Sequence, residues 1–414
     1  MMSTRSTLQL CTILSLALAA ACDRTADRIT GAAGERPSPR GTPQSSLAAS
    51  ALQVADVEQL YAAVNDSSNE GAAITLAPGA YVLSATDTAG VVRPNRGRLE
   101  LQRDMSLYGS TDDQSAVVID ARGLAASSFT VSFGRTAPLR VGRGRNTIEW
   151  LTVKGNPAAA GSIATELPDT LPTRIRVAHV VADGSSRGLD VRNVGLVNGR
   201  RRIDAEIVDN EFIGPAVVIG MSEGIRLVNF VDANGAVIVA TLNGNRVHGF
   251  QIGCIIANNR TSGSVVEVRS SGDRFFGNAL GCLIAGGLSQ AATGVANRNS
   301  TTFEAHGSAF VDNTSAVAGF PPGGISVVGG RSILKPNVAS DNTVTVALWG
   351  TKVSGNDRVD FEAFGANLDA PVGIAGTYNH AIIELHGASK KIDVVVTASR
   401  PAEPTGTNTV TVYR

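Results

Sequence analysis

Apolar residues recur at every second position along most of this chain, in short runs cut by glycine, asparagine and aspartate. Phe303-Glu304-Ala305-His306-Gly307 and Ile382-Ile383-Glu384-Leu385-His386-Gly387 show the pattern. A period of two predicts strands with one face in the core and the other in water. One stretch breaks it. Val57, Leu60, Tyr61 and Val64 fall at i, i+3, i+4 and i+7, behind Asp56 as a candidate N-cap with Gln59 three residues on. That spacing predicts an amphipathic helix over 56–66.

The strand pattern is also repeated. Shifted by 28 residues, Gly244-Asn245-Arg246-Val247-His248-Gly249 lies over Gly272-Asp273-Arg274-Phe275-Phe276-Gly277, and Gly253-Cys254-Ile255-Ile256-Ala257 over Gly281-Cys282-Leu283-Ile284-Ala285. Units of this length bury their apolar faces only by stacking on one another, so the repeat predicts a solenoid. With no helical period inside the unit, each turn of it is a coil of parallel β-helix. Asn210 to Gly214 aligns with Asn245 to Gly249 at a shift of 35, Gly307 to Phe310 with Gly272 to Phe275 at 35, and Gly350 to Val353 follows at 43. Unequal shifts predict loops of different length at one corner, the longest over 314–323 (with Phe320) and 331–342. Stacking also predicts a core column of Val247, Phe275, Phe310 and Val353, and a corner ladder of Asn278, Asn313 and Asn356. Val410 and Val412 alternate with Thr409, Thr411 and Tyr413 and predict a last edge strand.

The opening of the repeat carries a resemblance. A short amphipathic helix, then Ile74-Thr75-Leu76-Ala77-Pro78-Gly79-Ala80-Tyr81-Val82-Leu83 as strand, turn and strand, then Leu101 to Gly109, is similar to the start of pectate-lyase-like β-helix proteins. The resemblance implies a right-handed parallel β-helix over 50–414, with the helix capping its N-terminal end. It does not carry catalytic residues across. Polygalacturonases have a Gly-His-Gly element, and Val247-His248-Gly249, Ala305-His306-Gly307 and Leu385-His386-Gly387 each lack its first glycine. The acidic calcium cluster and catalytic arginine of pectate lyases match no stretch here.

Composition fits a solenoid with tight corners: 45 glycines in 414 residues, 5% aromatic and 17% charged, against about a quarter charged in an average domain. Basic and acidic residues balance at 36 each, which gives no electrostatic reason to expect nucleic acid as a partner. Residues 1–21 read as a targeting segment. Arg5 supplies positive charge, Leu8 to Leu18 an apolar run too short to span a bilayer, and Ala19-Ala20-Ala21 leads into Cys22. This resembles a bacterial lipoprotein signal with Cys22 as the lipidated residue, although Ala19 stands where leucine is commonest. An ordinary secretory signal is the alternative. Residues 22–49, rich in Ser, Gly, Pro and Arg, read as a flexible tether. The chain is thus placed in the cell envelope outside the cytoplasm, meeting the membrane through the lipid alone, or secreted. The remaining cysteines, Cys254 and Cys282, fall on adjacent coils, where a disulfide and a pair of unlinked core thiols are both open.

Candidate chemistry comes from the register. The residues one and three before the corner glycine point outward, so one outer column reads Asn243, Ser271, His306, Trp349, His386 and its neighbour Thr241, Arg269, Glu304, Ala347, Glu384. Glu304 and Glu384, two rungs apart, would lie about 9–10 Å apart, near the upper end for an inverting glycosidase pair. His306 and His386 could serve as acid or base. Trp349 would offer a flat platform to a sugar, and Arg269 a partner for a uronate carboxylate. Gly220-Met221-Ser222-Glu223-Gly224 has nucleophile-elbow spacing but no helix to follow it, and reads as a corner. No metal-ligand spacing implies a cofactor, and calcium stays open because a β-helix can build such a site from separate coils.

Three readings follow: an envelope protein binding polysaccharide or another extended polymer along its flank, a lyase or hydrolase acting on an acidic polysaccharide, or a structural or adhesive surface protein. The oligomeric state is not legible. The lipid anchor is checked by mass spectrometry of membrane-extracted protein. A diacylglyceryl adduct on an N-terminal Cys22 is expected, and an unmodified N-terminus elsewhere refutes it.

Overall fold

The structure, a computed structural model, describes residues 51–131, 134–169, 171–195, 201–218, 220–289, 294–314, 322–332, 338–368, 376–400 and 407–414. The signal and tether, Cys22 and Phe320 lie outside the described residues. The chain is a right-handed parallel β-helix. Nearly all strand pairs are parallel and join residues of successive coils, in one 19-stranded and one ten-stranded sheet.

Each coil has the same parts. A long strand such as Ile252–Asn259 lies in the ten-stranded sheet, a seven-residue strand such as Val265–Ser271 in the other, and a bend leads to a three-residue strand, Arg274–Phe276. The 28-residue register is as expected, with Val237 opposite Val265, Val247 opposite Phe275 and Cys254 opposite Cys282. Inward residues form one continuous core from Val54 to Ile392. The expected column of Val247, Phe275, Phe310 and Val353 is buried within it, and Phe275 and Phe310 stack with centroids 4.9 Å apart.

Corners are where a parallel coil would strand its backbone groups, and asparagine fills them. Asn278 donates to Asn313 Oδ1 (3.2 Å) and Asn313 to Asn356 Oδ1 (2.9 Å), while each amide also bonds a carbonyl of the preceding coil. A second ladder, not foreseen, runs Asn299, Asn342, Asn379, Asn408 with links of 2.9, 3.0 and 3.0 Å. A third runs Asn210, Asn245, Asp273. Residues before the corner side chains turn the chain through positive φ: Gly277, Asp312 and Gly355 in the first ladder, Arg298, Asp341 and Tyr378 in the second, Asp209, Gly244 and Gly272 in the third. Glycine enters this region without cost and other residues are held there by the corner.

The helix is Val57–Asn65, within the expected 56–66. The Asp56 side chain accepts from the Gln59 amide (2.8 Å), and Gln59 reaches back to the Ala55 amide (3.0 Å). Leu60, Tyr61 and Val64 are buried, and the helix packs on the first coil, closing the N-terminal end of the core. A strand the periodicity did not single out, Ala51–Val54, precedes it and pairs with Ala73–Leu76. The expected 331–342 loop is partly strand. Gly323–Ser332 runs into it, and Val338–Ser340 pairs with Val295–Asn297. Thr409–Tyr413 is the last strand of the larger sheet, as its alternation suggested.

Asp273 is the acidic member of an otherwise amide ladder. Burial pushes its carboxyl up to about 6 from 3.8, against hydrogen bonds from Ser270 and Asn245. A raised carboxyl pKa means the fold favours the protonated form. Its contribution is whole below pH 4 and lost as pH rises through 6. Asp273→Asn removes that loss. Thermal melts of the variant are expected to show a gain on the order of 3 kcal/mol at pH 8, fading to nothing below pH 4.

Candidate functional site

The outward columns are as expected and longer. Thr147, Arg176, Glu206, Thr241, Arg269, Glu304, Ala347, Glu384 and Tyr413 are directly opposed across successive strands, an unbroken line of nine rungs. Beside it run Glu149, Ala178, Val208, Asn243, Ser271, His306, Trp349 and His386. The structure therefore brings together Arg269, Glu304, His306, Trp349, Glu384 and His386 on one open face.

What those groups can do is narrower than the sequence suggested. Trp349 stacks on His306 (centroids 4.5 Å apart, 2° between planes) and on His386 (4.6 Å, 5°). Rung spacing is close to ring-stacking distance, so flat side chains in one column cover each other's faces. Trp349 thus presents its rim rather than an open platform. Arg269 is 76% exposed, yet its Nε lies 3.1 Å from Glu304 Oε2. Glu384 Oε2 lies 3.5 Å from His386 Nε2. Ala347, buried between the rungs of Glu304 and Glu384, separates the two carboxylates. Of the candidate acids and bases, Glu304 is engaged by Arg269 and His306 by ring stacking, while His386 Nε2 is buried without a hydrogen bond and meets Glu384 only at 3.5 Å.

Toward the N-terminal end the same face forms a shallow depression of about 470 Å³ lined by Arg145, Arg174, Arg176, Arg202, Asp204 and Glu206. Arg176 spans three rungs, bonding Glu149 Oε1 (2.6 Å) and Glu206. Burial acts against its charge, but the two glutamates outweigh that and hold its pKa up.

Sequence reasoning missed a second constellation, on the outer face of the ten-stranded sheet. Asp190 stands opposite Arg226, with Arg192 Nε at 3.3 Å, Arg187 Nη1 at 3.7 Å and Arg226 Nε at 3.8 Å from its oxygens. Glu223 pairs with Arg187 and lies 3.7 Å from Arg226. Glu166 joins Arg140 and Arg192, and Glu100 joins Arg140. Both oxygens of Asp190 are buried without a hydrogen bond. Burial raises its pKa in spite of Arg226 and Arg187, whereas in Glu223 those two arginines overcome burial and lower it. Burial also brings Arg192 down to about 9. On later rungs the same face turns apolar, through Ile255 and Leu283 in one column and Val228, Ala257, Ala285, Val328 and Phe364 in the next. The signal was legible in Asp190-Val191-Arg192, where two charges flank an inward valine, with Arg187 one step out of that alternation.

Not every buried charge marks a site. Arg201 gives its guanidinium to Gly142, Leu167, Thr165, Thr173 and Asn193, tying loop 165–173 to the wall. Ser222 is fully buried at a corner, its Oγ accepting from the Gln251 amide, and a strand follows it rather than a helix. That removes the nucleophile-elbow option. Cys254 and Cys282 are free, buried thiols on adjacent rungs, and burial with a second thiol alongside raises Cys254 well above the usual value.

No protein-family model matches the chain, and no curated protein matches it at a significant level. Among solved structures it is similar to the A-module of the mannuronan C-5 epimerase AlgE6 of Azotobacter vinelandii, at 14% identity and a TM-score of 0.37, over 86% of this chain and 93% of that one. The functional reading therefore rests on this chain's own side chains.

The two faces differ in energetic weight. Asp190→Ala leaves three guanidiniums facing each other in a buried place and is expected to cost about 3–5 kcal/mol in urea unfolding. Glu304→Gln, on the open face, is expected to cost under about 0.5 kcal/mol.

Proposed function

We propose that this chain is a cell-envelope β-helix, tethered outside the cytoplasm through Cys22, that holds an extended polysaccharide along the outer face of its 19-stranded sheet. One observation carries the reading: the nine-rung line from Thr147 to Tyr413, polar at every rung except Ala347. A rung repeats every ~4.8 Å, so the surface offers a periodic polymer a periodic row of donors and acceptors. Arginine beside carboxylate, as in Arg176–Glu206 and Arg269–Glu304, suits hydroxyl-rich chains, which need both donors and acceptors. The rims of His306, Trp349 and His386 add apolar edge contacts at one end, and Arg145, Arg174 and Arg202 add cationic groups at the other.

A second reading, an enzyme acting on an acidic polysaccharide, is favoured by the buried constellation rather than by the open face. Asp190 is pushed up and Glu223 down on neighbouring rungs. A pair of carboxyls driven apart in pKa divides the work of acid and base. Flanking arginines would receive a uronate carboxylate.

Binding of the full chain to a panel of immobilised polysaccharides, with turnover followed on the same panel, tests both. Retention of an extended polysaccharide, weakened about tenfold by Arg176→Ala or by Arg269→Ala with Glu304→Gln, supports binding along the open face. Retention of none, or retention indifferent to those changes, overturns it. Product formation abolished by Asp190→Asn, with the open-face variants unaffected, establishes the second reading. Loss of turnover in Glu304→Gln or His306→Ala places the active centre on the open face instead.

A further inference from the structure

One corner position is occupied in an unexpected way. The residue that follows the second outward column on each rung is, in order, Trp150, His179, Asp209, Gly244, Gly272, Gly307, Gly350 and Gly387. All of them turn through positive φ, between 51° and 68°. Glycine takes that conformation freely, whereas a bulky side chain is held there against strain. A tryptophan and a histidine therefore stand where the later coils use glycine. Strain of this kind collects at binding and catalytic sites.

The two rings pack as a unit. Trp150 and His179 stack with centroids 3.9 Å apart and 12° between planes, and both are part-exposed. On the other side of the indole, one step beyond the pair Tyr108–Glu149, the rung carries Gly109. A Cβ there would meet the Trp150 carbonyl oxygen at 1.9 Å, so no side chain can rise from that position against the ring. Among the described residues no second ring stacks on Trp150, whereas Trp349 is covered on both faces. Charge lies on the same two strands. Glu149, next to Trp150, binds Arg176 (2.6 Å), and Arg145 stands opposite Arg174 where the strands begin.

We propose that Trp150, backed by His179, is a stacking subsite for one pyranose ring of an acidic polysaccharide, seated on the indole face above Gly109. The inference rests on the open-face reading of the polymer and adds the residue that grips it at the N-terminal end. A sugar presents a flat set of C–H groups that packs on an aromatic face. His179 fixes the plane of the indole from behind, so little freedom is lost when the sugar arrives. Arg145 and Arg174 are placed to receive carboxylates of the same polymer, which selects uronate-bearing chains over neutral ones. Glycine at position 150 would relieve the strain and remove the platform.

Fluorine NMR of the full chain labelled with 5-fluorotryptophan tests the inference. The chain has two tryptophans, hence two resonances, and Trp150→Gly identifies the first by its loss. Oligogalacturonides and oligoglucuronides are titrated in, with neutral dextran oligosaccharides alongside. A saturable shift of the Trp150 resonance with at least one acidic series is expected, at concentrations about tenfold below any response to dextran. Trp150→Gly is expected to weaken retention of the acidic polymer about tenfold with the melting curve preserved. A Trp150 resonance unmoved by both acidic series overturns the subsite, as does a Trp150→Gly chain that melts lower but binds as before. An equal response to dextran overturns the acidic class. The parent reading is judged separately. Retention still sensitive to Arg176→Ala, with Trp150 silent, leaves the open face standing without this subsite. A shift at Trp150 with retention indifferent to Arg176→Ala and to Arg269→Ala with Glu304→Gln keeps the subsite and dismisses the row.

Discussion

Everything in this molecule depends on one coil lying in register on the next, and the buried corner amides hold that register. A parallel coil turns three times per circuit, and each turn withdraws backbone groups from water. An asparagine placed there donates to the coil before and to the next asparagine, and its oxygen takes the backbone N–H of the preceding rung, as Asn299, Asn342 and Asn379 do. A slip of one residue would strand every amide in the ladder at about 1–3 kcal/mol each, besides turning core side chains outward. Apolar packing alone opposes a slip of one residue but not a slip of two, which keeps each face. The ladders give the stack its fixed rise and phase.

Fixed phase is also what organises the surface. Once inward residues are stacked, outward ones stack too, so chemistry spreads along columns rather than gathering in a pocket. Rings in a column cover each other, as His306, Trp349 and His386 do, and charges alternate, as Arg176 does with Glu206. Such a surface suits a long repeating ligand better than a small one. The buried charges around Asp190 obey the same rule on the opposite sheet, but desolvation there raises the pKa of Asp190 and makes the cluster chemically distinct from the open row.

Much of this was written locally. The 28-residue repeat gave the coil register because its two copies have no insertion between them, and the helix showed itself by its change of period and its cap. The ladder through Asn299, Asn342, Asn379 and Asn408 was missed although its first three members each stand 8 residues before a corner glycine (Gly307, Gly350 and Gly387), because corner amides were sought only after that glycine. Trp349 was placed on the right face but credited with an open ring, since a single strand does not reveal which side chains occupy the neighbouring rungs. The constellation at Glu166, Arg187, Asp190, Arg192, Glu223 and Arg226 was missed for a related reason. Outward positions were followed only on the strand before the corner glycine, while all of these charges but Glu166 lie on the long strands Arg187–Val194 and Glu223–Phe230.

The central claim is that a polymer lies along the outer face of the larger sheet. Hydroxyl-radical footprinting with a bound polysaccharide reads that directly, because His306, Trp349, His386 and Tyr413 are reactive side chains on that face. Protection of these four with no change at Met221, Phe230 and Phe364 beside the ten-stranded sheet is the predicted result. Protection confined to Met221, Phe230 and Phe364, with the four left fully reactive, would contradict it.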